Sequence, residues 1–266
     1  MSEVGPVTVR VDQTNPGQFF ACCGLLEMAD RLWRGAEGTF TDQVFSIRPA
    51  RDQSHGEPAF ADLMSAIAAA SLRQVDIEDD TSSPIAIDAP FALRIDWWRD
   101  DRSAGQLKVW AGRMSSIRIA RAMQNAVRSP ECKTGRLFDH ATVVYDADEP
   151  DKKVEPFYFD ARRGANARAL DVGFMPDALN MTTAAYPAVE FLALIGLQRC
   201  RPAPTATRRV FEYATWAAPL PPALAAVAAA GLLPHTGERI FRFESAFRTD
   251  QRKHKAFAPA TEKFRS

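Results

Sequence analysis

The chain has 266 residues, of which 46% are apolar and 17 are Phe. That length and composition suit one large domain or two small ones that share a core. Lys plus Arg and Asp plus Glu each total 33, so the net charge is zero and the uniformly basic class of nucleic-acid-binding protein is excluded. Any binding to nucleic acid must therefore come from local segregation of charge.

Cysteine and histidine usage bears on the compartment and on metal chemistry. The four cysteines lack the two-residue spacing of metal or redox pairs, and with no recognisable signal peptide they predict buried thiols in a reducing cytoplasm. The four histidines show no zinc spacing, and the longest apolar run, residues 223–233, is too short for a membrane span. We expect a cytoplasmic protein with no metal, no cofactor and no membrane contact.

The first predicted elements are a strand at residues 7–12 and a strong helix at about 16–34. Asn15 is a good N-cap, and Pro16 suits the first helical turn because its missing N–H costs nothing there. Gly24 costs about 1 kcal/mol relative to Ala in a helix interior. We expect the backbone of another element to pass close to it.

A short strand at residues 45–48 and a helix at 59–73 follow, and then an acidic block spans residues 76–101. Residues 85–88 and 91–98 are predicted to form a hairpin with a third strand at 107–110 after it. Neighbouring residues of a strand face opposite ways, so only one of Trp97 and Trp98 needs to be buried. The other is interpreted as an ordinary surface aromatic or, less readily, as a stacking platform for a base.

Residues 113–128 form the predicted helix that bears most on function. One face is apolar, and three arginines, Arg118, Arg121 and Arg128, recur along the other side. From Arg113 to Arg136, counting Lys133, six cations stand against Glu131 alone, a local excess large enough to bind phosphates. The alternative is a solvated face, or ion pairing with the acidic strands just before it.

Strands are predicted at 141–145 and 157–160, around an acidic then basic loop at 146–153. The loop carboxylates are of the type that bind a divalent cation, although a solvated turn fits the adjacent Pro and lysines better. The strand at 157–160 runs into a basic, Gly-containing loop suited to a sugar-phosphate backbone. Its candidate residues are Arg162, Arg163, Asn166 and Arg168, and the alternative is an ordinary surface turn.

A second buried helix is predicted at about 187–200, and its residues 191–197 align with residues 19–25 so that Phe, Ala, Gly and Leu coincide. Two helices with interior glycines are good candidates for a close crossing. Strands at 209–217 and 239–247 flank an Ala-rich helix at 222–230. A basic tail at 250–266 is predicted to be flexible until it binds a partner, and this end supplies the candidates Arg248, Arg252, Lys253 and Lys255.

These elements predict an α+β fold, with mixed or antiparallel sheets packed against a few helices, two of them buried and Gly-containing. We expect a single domain over 1–266, with two sub-domains at 1–135 and 136–250 as the alternative. No Gly-rich phosphate loop or nucleophile elbow is present, and Cys22 and Cys23 lie in an apolar helix without a His beside them. We therefore expect no enzymatic activity.

The segments 15–27, 110–112, 157–164 and 186–199 together resemble the third of the Csb proteins, which are encoded in CRISPR operons of subtype I-U, also called I-G. The likeness spans most of the chain. It implies a subunit of a Cascade-like RNA-guided surveillance complex, in the place where a large subunit would read the motif flanking the target. The implied partners are the other Cascade-type subunits, the CRISPR guide RNA and the target DNA.

The leading hypothesis is a non-enzymatic subunit whose basic patches contact guide RNA or target DNA. A second hypothesis is a purely structural subunit that uses the same arginines to bind acidic protein surfaces. A third is a metal-dependent nuclease built on Asp139, His140 and the loop at 146–151, although Asp139-His140 reverses the usual His-Asp order.

Overall fold

The computed structural model describes residues 7–49, 60–79, 81–99, 104–110, 114–162, 184–234, 239–248 and 254–263. Six helices lie in these ranges: α1 (Pro16–Trp33), α2 (Phe60–Ala69), α3 (Ala104–Leu107), α4 (Ser116–Ala126), α5 (Pro187–Gly196) and α6 (Pro222–Ala229). The strands are β1 (Val7–Arg10), β2 (Glu37–Thr41), β3 (Val44–Arg48), β4 (Leu72–Gln74), β5 (Ile85–Ile87), β6 (Leu93–Ile95), β7 (Ala203–Pro204), β8 (Val210–Ala214), β9 (Ile240–Phe247), β10 (Lys255–Phe257) and β11 (Thr261–Lys263).

The strands form three small antiparallel sheets. Their orders are β1-β3-β2, β4-β5-β6 and β10-β9-β8-β7, and β11 also pairs with β9. The segment that follows β8 contacts β2, where Leu220 bridges Gly38 and the Phe40 amide donates to the Trp216 carbonyl at 2.9 Å. Sheets of this kind packed with helices confirm the predicted α+β class.

Helix α1 starts where the sequence predicts it. The Asn15 side chain accepts hydrogen bonds from the amides of Gly17 and Gln18, which satisfies two of the free N–H groups of the first turn. Residues from Pro16 to Ala29 are all buried, and a ring cluster packs on this stretch, in which Phe19 stacks on Tyr213 at 4.3 Å. The helix therefore lies at the centre of the core.

Helices α1 and α5 cross at the two glycines, as predicted. A Cβ added to Gly24 would lie 3.0 Å from the amide nitrogen of Gly196, and nearer still to the carbonyl oxygen of Leu192. Reciprocally, a Cβ on Gly196 would lie 2.8 Å from the amide nitrogen of Gly24 and close to the carbonyl oxygen of Phe20. Only residues without a side chain permit this approach of two backbones.

The crossing joins equivalent positions of the two helices. Gly24 and Gly196 are separated by the same 172 positions as Glu27 and Arg199, which form an ion pair at 2.5 Å. Phe20 and Leu192, whose carbonyls meet the opposite glycines, have that separation as well. The sequence echo between the two helices thus coincides with a locally two-fold contact.

Several predicted strands have another form. Of residues 107–110, Leu107 ends the short helix α3 and the rest are irregular. Residues 157–160 have no strand assignment, and residues 141–145 make only the isolated bridges Thr142 to Ala185 and Tyr145 to Lys153. The flexible tail predicted at 250–266 is wrong for residues 254–263. These residues form β10 and β11 against β9, because Ala256, Phe257 and Ala260 bury their side chains in the core.

Candidate nucleic-acid interface

The arginine stripe of α4 is largely ion-paired within the chain. Nε of Arg118 donates to the Asp146 carboxylate at 2.9 Å, and Glu149 binds the same guanidinium. Nη2 of Arg121 donates to the Leu72 carbonyl at 3.0 Å, and its Nη1 lies 3.9 Å from Asp148. Ion pairing, the alternative given for this helix, therefore holds for these two arginines. The acids belong to the loop that follows the helix, and not to the strands before it.

The carboxyl of Asp146 is almost inaccessible to solvent, with 5% of the residue exposed. Burial opposes its ionisation, but hydrogen bonds from the Asp148 amide and from Arg118 outweigh burial and hold the pKa of Asp146 below its ordinary value. A carboxylate already bound in this way is a poor cation ligand. Within the described ranges, no group of three or more His, Cys, Asp or Glu side chains is placed to hold a metal ion.

The other candidates between Arg113 and Lys133 lie outside α4 and differ from one another. Arg128 is exposed and its side chain has no hydrogen-bond or ion-pair partner among the described residues, and Lys133 likewise has none. A cleft of about 510 Å³ separates this part of α4 from residues 142–150, and His140 lies at its rim. Arg113 lies outside the described residues.

Arg162 has a structural role. Its guanidinium donates to the fully buried Asp160 at 2.6 Å and to the Phe138 carbonyl at 2.7 Å, and it stacks on the Tyr186 ring at 3.4 Å. All these contacts are internal and occupy most of its donors, and the predicted contact of Arg162 with a nucleic-acid backbone stays a prediction. Arg163, Asn166 and Arg168 lie outside the described residues.

Trp97 and Trp98 are both buried, and the prediction that one of them is exposed is wrong. Residues Trp97–Arg99 form a 3-10 turn instead of a strand, so adjacent side chains need not face opposite ways. Nε1 of Trp97 donates to the Leu194 carbonyl at 3.0 Å, and Nε1 of Trp98 donates to the Ser82 carbonyl at 2.8 Å. Both rings pack edge-on against Trp110. Neither ring is available to stack on a base.

A different set of cations converges where β8 begins and β9 ends. We call it the β8–β10 cationic cluster, and its members are Lys108, Arg208, Arg209 and Lys255. Val210 of β8 pairs with Glu244 of β9, and the Ser245 amide donates to the Arg209 carbonyl at 2.9 Å, which places Arg209 opposite Ser245. Phe247 pairs in turn with Lys255 of β10. Paired residues share one face of an antiparallel sheet, so Arg209 and Lys255 lie on the same face.

Residues 105–109 hold the cluster together. Nζ of Lys255 donates to the carbonyls of Gly105 and Gln106, at 3.0 and 2.9 Å. The Gln106 side chain accepts from the Arg209 amide at 2.8 Å, and Lys108 donates to the Ser82 hydroxyl at 2.8 Å. Hydrogen bonds to Gln106 therefore join Lys255 and the backbone of Arg209, and the four cations come from three separate parts of the chain.

The electrostatics of the cluster are unfavourable for the cations themselves. Burial, followed by the charges of Arg209, Lys108 and Arg208, lowers the pKa of Lys255 to about 8. Burial also lowers the pKa of Lys108, and Asp79 counteracts that effect only in part. Among the described acids, Glu244 lies nearest to the arginines, 3.6 Å from Arg209. Four positive charges with so few counter-charges form a strong site for an anion.

The guanidinium of Arg209 is held by its stacking on the Phe247 ring at 4.5 Å. Its Nε is buried without a hydrogen-bond acceptor among the described residues, and the hydroxyl of Ser245 opposite is likewise without a partner there. Arg208 is exposed, and its side chain has no partner in the same ranges. An anion that approaches from solvent would therefore meet the exposed guanidinium of Arg208, whereas the Arg209 Nε and the Ser245 hydroxyl lie too deep to reach it directly.

No protein-family model, curated protein or solved structure matches the chain. No helix in the described ranges combines the length and apolar character needed to cross a lipid bilayer.

Of the C-terminal candidates, the cluster contains Lys255. Arg248 follows Phe247, the residue that pairs with Lys255. The Arg248 guanidinium stacks on the Tyr158 ring at 3.5 Å and lies 3.9 Å from the Glu155 carboxylate, so its charge is partly neutralised. Arg252 and Lys253 lie outside the described residues. Sequence reasoning missed Lys108, Arg208 and Arg209. The available signal was the Arg208-Arg209 pair in a stretch without an acid from Arg199 to Phe211.

Proposed function

We propose that this chain is a non-catalytic, cytoplasmic subunit of a Cascade-like CRISPR surveillance complex of subtype I-U (I-G), and that it binds the backbone of guide RNA or target DNA. The observation that carries the nucleic-acid part is the β8–β10 cationic cluster. In a neutral protein, four cations with only Glu244 near Arg209 and Asp79 near Lys108 among the described carboxylates match the chemistry of a phosphate-backbone site.

The CRISPR part of the proposal rests on the resemblance of residues 15–27, 110–112, 157–164 and 186–199 to the Csb family. In such complexes base pairing reads the sequence, while protein subunits hold backbones and a short duplex motif. A cluster made of cations suits the holding of a backbone, because phosphate groups are recognised by positive charge. We accordingly propose backbone holding in the place of a large subunit, with the other Cascade-type subunits as protein partners.

Binding of labelled single-stranded RNA and of duplex DNA to the full chain, measured over a range of salt concentrations, tests the nucleic-acid part. We expect R208Q/R209Q to weaken binding and to lower the salt slope by about 0.7 for each phosphate of a single strand that is no longer neutralised. The matched control is R242Q/K263Q, which removes the same charge from two cations that are already paired with Glu212. Equal effects of the two double variants would refute a local contact.

A purely structural subunit remains the second candidate, and one observation favours it. Arg118 and Arg121 already bind carboxylates of the same chain, so arginines of this protein do pair with acidic protein surfaces. Co-purification with the products of neighbouring genes, followed by crosslinking and sequencing of bound RNA, separates the two. Crosslinks to protein subunits without crosslinks to nucleic acid would favour the structural role.

A further inference from the structure

Lys255 differs from the other members of the cluster in how its donors are used. A charged lysine has three N–H donors, and two of those of Lys255 already bind the Gly105 and Gln106 carbonyls. A neutral amine has two donors, so these carbonyls alone would satisfy it. The third donor exists only in the charged form, and no hydrogen-bond acceptor for it lies within the described residues.

The groups that face Lys255 come from three elements. Arg208 and Arg209 approach from the start of β8, and Lys108 approaches from the segment after α3. On β9 the paired residue is Phe247, and Glu244 lies farther along the strand beside Arg209. The negative charge of Asp79 favours the charged form of Lys108. Cations therefore dominate the surroundings of the ammonium group, and within the described ranges no carboxylate reaches its donors.

We infer that Lys255 binds one phosphate group of the nucleic-acid strand, so that the β8–β10 cationic cluster grips a single phosphodiester at a defined point and not a stretch of backbone along a diffuse surface. This inference rests on the proposed function. The bound phosphate would accept the third Nζ–H of Lys255, and Arg208 and Arg209 would supply charge beside it. Phe247 fixes the plane of the Arg209 guanidinium, which keeps the site in one geometry.

A phosphate held by Lys255 would make binding depend on pH, as a general basic surface would not. Burial and the neighbouring cations lower the pKa of Lys255 to about 8, so its charge changes within the range in which binding can be measured. An anion stabilises the charged ammonium, so binding is coupled to proton uptake. Affinity should therefore fall as the pH rises through this range. Lys108, whose pKa burial also lowers, would add to the same trend.

The experiment measures binding of a labelled single-stranded RNA to the full chain at pH values about one unit below and one unit above the Lys255 pKa of about 8. We expect K255M to lose about tenfold in affinity at the lower pH, as for one charged hydrogen bond, and to show a flatter pH dependence. K255R keeps the charge at both pH values, so it should retain affinity at the higher pH. The control K263M removes a lysine that is paired with Glu212 and should change neither quantity.

The outcomes separate this inference from the proposed function. If K255M and K255R bind RNA as the unaltered chain does at both pH values while R208Q/R209Q weakens binding, the single-phosphate inference is overturned and the proposed function stands. If the unaltered chain binds neither RNA nor DNA, the single-phosphate inference and the proposed nucleic-acid-binding function are both refuted. Should K255M not fold, K255R still decides the question: a flatter pH dependence than that of the unaltered chain supports the inference, and an unchanged one overturns it.

Discussion

Glu190 is fully buried in the first turn of α5, where its carboxyl accepts hydrogen bonds from the backbone amides of Phe159 and Asp160 at 3.2 and 3.1 Å. Asp160 is also fully buried, and it binds Arg162 and the Asn15 side chain. Burial raises the pKa of Glu190 to about 8, and the charge of Asp160 acts in the same direction. The single positive charge of Arg162 pairs with Asp160 and leaves Glu190 without a counter-charge, so Glu190 favours the neutral form.

This arrangement predicts a pH-dependent stability. Between the ordinary pKa of 4.5 in the unfolded chain and the raised value of about 8, the folded chain binds more protons. The free energy of unfolding should therefore fall as the pH rises through this window, by up to about 1.4 kcal/mol per pH unit. Urea unfolding of E190Q should show a smaller slope over the same range. The control E37Q, at an exposed position of β2, should keep the slope. A steep slope that survives in E190Q would show that another group causes it.

The crossing of α1 and α5 shows how a pattern at the level of elements specifies the fold. Each helix begins with a Pro at its first turn and carries an interior Gly, and the two glycines meet backbone to backbone. Glu27 and Arg199, one turn further on, form an ion pair across the same contact, in which Arg31 also takes part. Packing at the glycines and charge pairing beside them thus select one register for the two helices.

Gly24→Ala tests the crossing. Ala is the better helix former by about 1 kcal/mol, so propensity alone predicts stabilisation. Since the added methyl group would meet backbone atoms that cannot move aside, we expect a net loss of about 2 kcal/mol or more in the free energy of unfolding. Gly105→Ala is the matched control, because a Cβ there meets nothing within 4 Å. Equal stability of the two variants in urea unfolding would contradict the close approach.

Local signals predicted the elements whose structure is set locally. The cap at Asn15, the period of α4 and the strand predicted at 239–247 all correspond to observed elements, and the echo between two glycines correctly predicted a tertiary contact. The 3-10 turn at Trp97 was not predictable in this way, because it depends on Leu194 and Ser82 as acceptors for the two indoles. Burial of Phe257 likewise overrides a basic composition that suggests disorder.

The cationic cluster lay beyond sequence reasoning for a related reason. Arg209 and Lys255 are neighbours only because β9 pairs with β8 on one side and with β10 on the other. A count of charges along the chain identifies basic segments such as the one that contains α4, but it does not show which carboxylates pair with these cations in the folded chain. Asp146 and Glu149 form ion pairs with Arg118, and no periodicity in the sequence predicts that contact.

At the scale of the whole molecule, zero net charge conceals an uneven distribution. Many arginines of the described ranges face a carboxylate: Arg239 pairs with Glu262, Arg242 with Glu212, and Arg199 with Glu27. Paired surface charges contribute little to the field around a protein. Among the described residues, the β8–β10 cationic cluster brings several cations together with few carboxylates, and exposed arginines such as Arg10, Arg34 and Arg128 add to the attraction of an anion.

The triple variant R118A/R121A/R128A tests this distribution against the simpler view that the arginine stripe itself is the interface. If the stripe were the interface, RNA affinity would fall steeply and the salt slope would decrease by about 2, as for three phosphates of a single strand. Because Asp146, Glu149 and Asp148 already pair with the first two arginines, we expect only the contribution of Arg128, a change of about 0.7 in the slope on a single strand. Salt titrations of the triple variant beside R208Q/R209Q measure both. A change in the salt slope of the triple variant well above about 0.7 would instead indicate that Arg118 and Arg121 contact the nucleic acid.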